Sequence, residues 1–369
     1  MPLTIESASA ALGTVLDPEL QRSLNDVGMV RDLAVDGDAA SLTVDLISPS
    51  ASYKDSLDAA ITAALRGAGA KRVKIAFSVA IPTRNILSDD PCPGVKNIVL
   101  VMSGKGGVGK STVAANLTLA LKRMGASVGL LDADMYGPSV PTMLGVAGKP
   151  TSTDGTKFLP LERFGVKLMS IGFLLEDAKS AVVWRGPMLQ NALLQFLRDV
   201  EWGDLDYLIL DLPPGTGDII LTISQKLRTT GAIVVTTPQE VALQDVYKSV
   251  SMAQKVGISL LGVVENESYF ICDGCSKRHE LFGAGGGQKV ADFAAAPLLG
   301  QIPIDAAIRE WGDAGTPVVQ ATPDSSIGQA FMEVAERLAG RVAIQDLGRG
   351  TGLKIDRSGG KQRHLPISR

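Results

Sequence analysis

Aromatic side chains make up only 5% of this chain, and cysteine occurs three times in 369 residues. So few thiols, odd in number, exclude a disulfide-stapled secreted scaffold and point to a reducing compartment, read here as the cytoplasm. No apolar run reaches the ~18 residues that span a bilayer. The opening MPLTIESASAALG lacks a basic segment followed by an apolar core, so no signal peptide is expected. Net charge is −3, which gives no overall reason to expect nucleic acid or an anionic membrane as partner. What the chain does have is 45% hydrophobic residues and 40 glycines. With aromatics scarce, the apolar bulk is Val, Ile, Leu and Ala, the composition of a parallel sheet covered on both faces.

Residues 1–82 read as a small α+β domain. A helix over Ile5–Leu16 precedes two strands, Val30–Val35 and Ala40–Ile47, joined at Asp36-Gly37-Asp38. A helix over Tyr53–Leu65 and a strand over Val73–Ile81 complete it. Residues 83–96, TRNILSDDPCPGVK, read as a linker in which Cys92 is a bystander. From 97 to 342, short β-branched runs alternate with helical stretches: Ile98–Met102, Val128–Leu131, Tyr207–Leu210, Ile233–Thr236, Leu260–Val264 and Leu298–Gln301. That alternation predicts an α/β domain with a mostly parallel sheet and helices on both faces. The Gly-rich, basic stretch 343–369 reads as a disordered tail.

Directly after the first of those strands stand Gly104-Lys105-Gly106-Gly107-Val108-Gly109-Lys110-Ser111-Thr112, followed by a helix over Thr112–Met124. This is G-x-x-x-x-G-K-[ST] in its strand–loop–helix setting. The glycines let successive backbone N–H groups turn toward phosphate oxygens, and the helix N-terminus faces the same anion. Lys110 is expected on the β- and γ-phosphates and the Ser111 hydroxyl on Mg²⁺. Two strand ends supply carboxylates, Asp132 with Asp134 and Asp211 ahead of Pro213-Pro214-Gly215, suited to hold Mg²⁺ or orient water. A switch is expected over Asp211–Asp218, with Gly215 as its pivot. Asn266, after the strand Leu260–Val264, is placed to hydrogen-bond the edge of a base. The added Lys105 resembles the deviant Walker A loop of the MinD and nitrogenase-iron-protein class, in which that lysine reaches the nucleotide of a partner subunit. The resemblance implies a trans-acting positive charge in ATP hydrolysis.

The remaining cysteines, Cys272 and Cys275, form a CxxC within YFICDGCSKRHE. On residues alone this fits half of an iron–sulfur site, a structural zinc joined by His279, a dithiol redox pair, or no site at all.

Taken together, PGVKNIVLVMSGKGGVGKST, DADMYGPSVPTMLG, DLPPGTGDI, GVVENESYFICDGC and LFGAGGG with LLGQIPID resemble the Mrp/ApbC family of ATP-dependent iron–sulfur cluster carriers, over residues 94–320. Residues 12–81, through VLDPEL and NDVGMV, resemble the metal–sulfur cluster assembly domain that often precedes it. The resemblance implies an ATP hydrolase with adenine as its base, and no guanine-type Asn-Lys-x-Asp motif is present. It further implies a homodimer, in which Cys272 and Cys275 of each copy hold a bridging [4Fe–4S] cluster destined for apo iron–sulfur proteins with the cluster assembly machinery. Two departures stand out. The small domain has SPSASYKD where the family usually places a cysteine, and Asn266-Glu267-Ser268-Tyr269 replaces Asn-Met-Ser-Tyr. Two other classes compete: a ParA/MinD-type positioning ATPase with a structural zinc, and a metabolic P-loop enzyme. The first predicts a terminal amphipathic basic helix, and the glycines of 347–360 disfavour one. Neither nucleic acid nor membrane is therefore expected as partner.

Overall fold

A computed structural model describes residues 2–134, 137–152, 155–174, 186–215, 217–349 and 363–364. The chain divides into two compact units, Met1–Thr83 with Ala339–Arg369, and Arg84–Leu338.

In the smaller unit, Thr4 opens helix α1 (Ile5–Gly13) with a capping box: it accepts from Ser7 N at 3.1 Å while Ser7 Oγ accepts from Thr4 N at 2.9 Å. A one-turn helix α2 (Leu24–Val27) follows, closed by Gly28 in the left-handed region. Strands β1 (Val30–Asp36) and β2 (Ala39–Leu46) pair antiparallel around the Gly37 turn. Helix α3 (Ala51–Gly67) then crosses over and returns β3 (Arg72–Val79) parallel to β2. On α3 the buried residues are Tyr53, Leu57, Ile61 and Leu65, an i, i+4 stripe that lays one face on the sheet. Inside the unit Asp17 is fully buried and satisfied: it accepts the N–H groups of Glu19 and Leu20 at 2.9 and 2.7 Å and the hydroxyl of Tyr53. Ser50, in the SPSASYKD stretch, caps α3 by accepting from Tyr53 N at 3.3 Å.

The larger unit carries β4 (Val95–Met102), α4 (Lys110–Arg123), β5 (Val128–Asp132), α5 (Val140–Met143), β6 (Leu161–Arg163), β7 (Val166–Ser170), α6 (Gly186–Asp199), β8 (Leu205–Asp211), α7 (Gly217–Lys226), β9 (Gly231–Thr236), α8 (Glu240–Lys255) and β10 (Leu260–Glu265). There follow a two-strand hairpin, β11 (Phe270–Ile271) and β12 (Arg278–His279), then α9 (Gly286–Ala294), β13 (Leu298–Gln301), α10 (Ala306–Asp313), α11 (Val318–Ala321) and the start of α12 (Ser326–Arg349), whose residues from Ala339 on belong to the smaller unit. The main sheet has the order β13-β10-β9-β4-β8-β5-β7-β6, parallel throughout except for the edge pair β6–β7. Every residue of β5 and β9 is buried, as continuous Val/Ile/Leu runs require of a sheet covered by crossovers. Each such side chain removed from water contributes roughly 1.5–3 kcal/mol.

Three boundaries differ from the sequence reading. Arg84 belongs to the larger unit, where its buried guanidinium pairs with Asp90 and donates to the carbonyls of Cys92 and Arg228 at 2.9 and 3.0 Å. Helix α12 continues through 343 to Arg349, and Ala343 and Leu347, themselves part of the smaller unit, belong to its core. Strand β14 (Arg363–His364) adds to the edge of β3, antiparallel. The rest of the stretch read as a tail lies outside the described residues.

Candidate functional site

The register of the sheet assembles the first site. Parallel pairing sets Val101 of β4 against Asp211 of β8, and Asp211 in turn against Asp132 of β5. The three strand ends that carry the phosphate loop and the two carboxylates therefore finish at one level, beside α4's first turn. The cleft there, about 210 Å³, is lined by Ser103, Lys105, Gly106, Gly107, Gly109, Lys110, Ser111, Thr112, Asp134, Ser139 and Pro214. It thus gathers most of the predicted loop residues and Asp134.

Two glycines make the loop possible. Gly104 passes so close to α8 that a Cβ would lie 2.2 Å from Val246 N. Gly109 has φ +75°, and a Cβ there would meet the Asn266 side chain at 2.1 Å. Gly107 shares the left-handed region at φ +81°.

Charge in the cleft is arranged around one lysine. Lys110 Nζ donates to Asp211 Oδ1 at 2.5 Å, lies 3.7 Å from Asp134 and reaches Ser111 Oγ at 3.3 Å. Asp132 accepts from Ser170 Oγ at 3.0 Å, Asp134 N at 3.1 Å and Val140 N at 3.3 Å. Burial, reinforced by the charge of Asp211, pushes the Asp132 carboxyl up to about 8. Burial likewise lifts Asp211, against the opposing pull of Lys110. Asp211 Oδ2 is buried with no hydrogen-bond partner among the described residues. A site with buried carboxylates, one lysine and an orphaned carboxylate oxygen is short of positive charge, and its donors are the hard oxygens that Mg²⁺ takes. The residues present fit that ion. Lys105 stands exposed at the cleft's rim. Of the segment expected to switch, Gly215 takes φ +68° and donates to Ser103 O at 3.3 Å, while Thr216 lies outside the described residues.

Asn266 is not turned toward an open cleft. It is 4% exposed, and its amide nitrogen donates to Val108 O at 2.9 Å. The side chain expected on a base edge instead fastens the phosphate loop to the end of β10.

The second site is the hairpin six residues on. Cys272 N donates to Lys277 O at 3.0 Å and Ser276 N to Cys272 O at 2.7 Å, closing a tight turn with Ser276 at φ +55°. Cys272 is half-buried and Cys275 exposed. The backbone N–H groups of Cys275 and Gly274 point at the Cys272 sulfur and hold its thiol below the ordinary range. The turn lies between two strands, not at a helix N-terminus where dithiol redox pairs gain their acidity. Among the described residues no three His, Cys, Asp or Glu side chains gather around a possible metal position, so His279 does not join the two thiols within one chain. Arg278 lies over the Tyr269 ring at 3.8 Å, and Ile271, Leu281 and Phe282, close to the turn in sequence, are exposed. The third thiol, Cys92, is buried in the larger unit, donates to Leu197 O, and is pushed up to about 12 by burial.

Sequence reasoning passed over Glu265. It is fully buried and accepts from Ser268 Oγ at 2.5 Å, Gln301 Nε2 at 2.7 Å and Gly287 N, tying β10, β13 and α9 to the turn before the hairpin. A lone acid closing the apolar run Leu260–Val264 was the only signal of it.

Comparison with known proteins agrees with this layout. Residues 94–339 match the family described as NUBPL iron-transfer P-loop NTPase, and residues 5–77 match that described as iron–sulfur cluster assembly protein. The iron–sulfur cluster carrier protein of Synechocystis sp. is 43% identical over 352 residues, 94% of this chain and 99% of that one. Its namesake in Escherichia coli K12 is 43% identical over 342 residues, 91% and 92% of the two chains. A solved nucleotide-binding protein from Archaeoglobus fulgidus, in complex with ADP, is 41% identical with a TM-score of 0.53, covering 60% of this chain and 87% of its own. No helix among the described residues is long and apolar enough to cross a membrane. With the phosphate loop, the aligned carboxylates and the thiol hairpin in place, the chain belongs to the family of NUBPL iron-transfer P-loop NTPases, and carries a region matching iron–sulfur cluster assembly proteins ahead of its P-loop NTPase fold.

Proposed function

We propose that this protein receives an iron–sulfur cluster on Cys272 and Cys275 of two copies and hands it to apo iron–sulfur proteins, with ATP binding and hydrolysis governing the exchange. The observation that carries the reading is the hairpin itself: two thiols on an exposed turn, that of Cys272 lowered by backbone N–H groups, with no third ligand gathered around them among the described residues. A cluster is commonly held by four thiolates. An isologous dimer brings the same patch together twice, which doubles two thiols to four. The exposed side chains of Ile271, Leu281 and Phe282 give that contact something to bury. A cluster at such a seam is released by separating two surfaces rather than by unfolding a core.

At the other site, the N–H groups of Gly104 to Thr112 cradle the phosphates of ATP. Lys110 leaves Asp211 to pair with the β- and γ-phosphates. Ser111, Asp132 and Asp211 would hold Mg²⁺, which would supply the positive charge the carboxylates lack. One of Asp132, Asp134 and Asp211 orients the attacking water. Lys105, exposed at the rim of its own cleft, reaches the partner's nucleotide, as the deviant loop of this class implies. The setting is cytoplasmic, alongside cluster assembly machinery, with neither DNA nor membrane as partner.

Anaerobic reconstitution with ferrous iron and sulfide tests the cargo. A broad visible iron–sulfide absorption, with iron and sulfide in equal amounts, is the expected result. Stoichiometric zinc that resists replacement, with no chromophore, would remove the carrier reading and favour a positioning ATPase with a structural knot.

A further inference from the structure

Phosphate loop and thiol hairpin are separate in sequence, yet one chain of contacts, buried at its start, runs between them. It starts at Val108 O. A peptide unit is planar and trans, so its C=O and the next residue's N–H point in opposite directions. The carbonyl gripped by Asn266 and the N–H of Gly109 are two ends of one plane, and Gly109 lines the nucleotide cleft. Asn266 thereby sets the direction in which Gly109 N–H faces a phosphate. The grip has little slack, since a Cβ on Gly109 would overlap the Asn266 amide.

From Asn266 the path continues along a braced backbone. Asn266 N donates to Thr236 O at 2.8 Å, and Glu267 is held at φ +51°, in the left-handed region. Ser268 N donates to Ile302 O at 2.9 Å while its hydroxyl meets buried Glu265. Ile304 N donates to Tyr269 O at 2.7 Å, and Phe270 bridges Ile304, one residue before the strand end that leads into Cys272. A carboxylate buried in this turn and satisfied by three donors makes the segment move as a unit rather than fray.

We infer that Asn266 is a positioning residue linking the two sites: nucleotide in the loop turns the Val108–Gly109 peptide, Asn266 follows its carbonyl, and the Glu265–Ser268 turn passes the shift to the hairpin, changing the access of reagents to Cys272 and Cys275. The inference rests on the reading that the loop takes nucleotide. By linkage, whatever occupies the thiols alters nucleotide affinity by the same factor.

The test uses the reduced, iron-free full-length chain. The rates at which iodoacetamide alkylates Cys272 and Cys275 are followed by mass spectrometry, with and without saturating Mg²⁺–ADP, at two protein concentrations. In the wild-type chain ADP is expected to change these rates by about fivefold or more, the usual scale of site–site coupling, independently of protein concentration. In Asn266→Asp, which keeps the shape but cannot donate to Val108 O, and in Asn266→Ala, the ratio is expected to fall below about twofold at ADP saturation. Ser268→Ala cuts the path on the thiol side, away from the loop, and is expected to do the same with ADP affinity within about twofold of wild type. If the Asn266 variants bind no ADP, Ser268→Ala decides. A wild-type ratio of one, or a wild-type ratio retained in the variants, overturns the link while leaving the nucleotide reading intact. A wild-type chain that binds no ADP overturns both.

Discussion

The phosphate loop and the thiol hairpin both lie beyond the carboxyl ends of parallel strands, yet they are built in opposite ways. The loop is walled in by α4, α8 and the strand ends, and its lysine and carboxylates are buried and paired within the chain. The hairpin is two short strands with its thiols toward solvent. One site pairs its buried charges within a single copy, and the other presents two thiols of the four that the proposed cluster takes. On the proposed reading, that difference teaches where assembly enters: the phosphate cradle is built within one chain, whereas the cluster site waits on a second surface.

Breaking the hairpin should have the largest effect and leave the loop untouched. Cys272→Ala or Cys275→Ala is expected to abolish the iron–sulfide chromophore after anaerobic reconstitution, with ATP affinity by calorimetry within about twofold of wild type, because neither thiol lies at the cleft. The contrast among the cysteines is the next largest. Cys92, with its thiol pushed up to about 12, holds far less thiolate at pH 8 than Cys272, whose thiol lies below the ordinary range. Alkylation at pH 8 should therefore label the hairpin and spare Cys92; equal labelling would contradict the buried assignment.

Lys110→Ala removes the cation that faces Asp211 and the phosphates. Losing charge-assisted hydrogen bonds of about 1.5–3 kcal/mol each, it should weaken ATP binding roughly a hundredfold while the reconstituted chromophore persists. Lys105→Ala sharpens the comparison from the other side. With Lys105 exposed, ATP affinity should change by less than about threefold, while hydrolysis, measured as phosphate release, falls about tenfold or more. Equal loss of binding in the two variants would place Lys105 in its own cleft.

The subtlest effect is on stability against pH. The folded state keeps a proton on Asp132 up to about 8, whereas the unfolded chain releases it near 3.8. Between those values the folded state holds more protons, so stability falls as pH rises from about 4 to about 8 and levels above it. Asp132→Asn should flatten that fall in urea titrations across the same range, and Mg²⁺ with nucleotide should oppose it in the wild-type chain.

Much of this was legible in the sequence because the determinants are local. The phosphate loop is contiguous with its strand and helix, and the buried parallel strands announce themselves as β-branched runs. The edge pair β6–β7 escaped notice because its first strand spans only Leu161–Arg163, although Phe164-Gly165 at φ +53° and +72° is a strong hairpin turn. One-turn helices such as α2 and α11 carry too few residues to show a period. The role of Asn266 was out of reach for another reason: its partner Val108 stands 158 residues away, and only the register of β9 and β10 beside β4 brings them together. Ser50 shows the converse. Where the family pattern led one to look for a thiol, the local chemistry is a helix cap, which serine fulfils.

Sedimentation equilibrium of the reconstituted protein, combined with iron analysis, bears most directly on the half-site. Two chains travelling together with four irons between them, and single chains once the cluster is removed by chelation, are what the thiol count predicts. A lone chain that sediments with a full complement of four irons would contradict it.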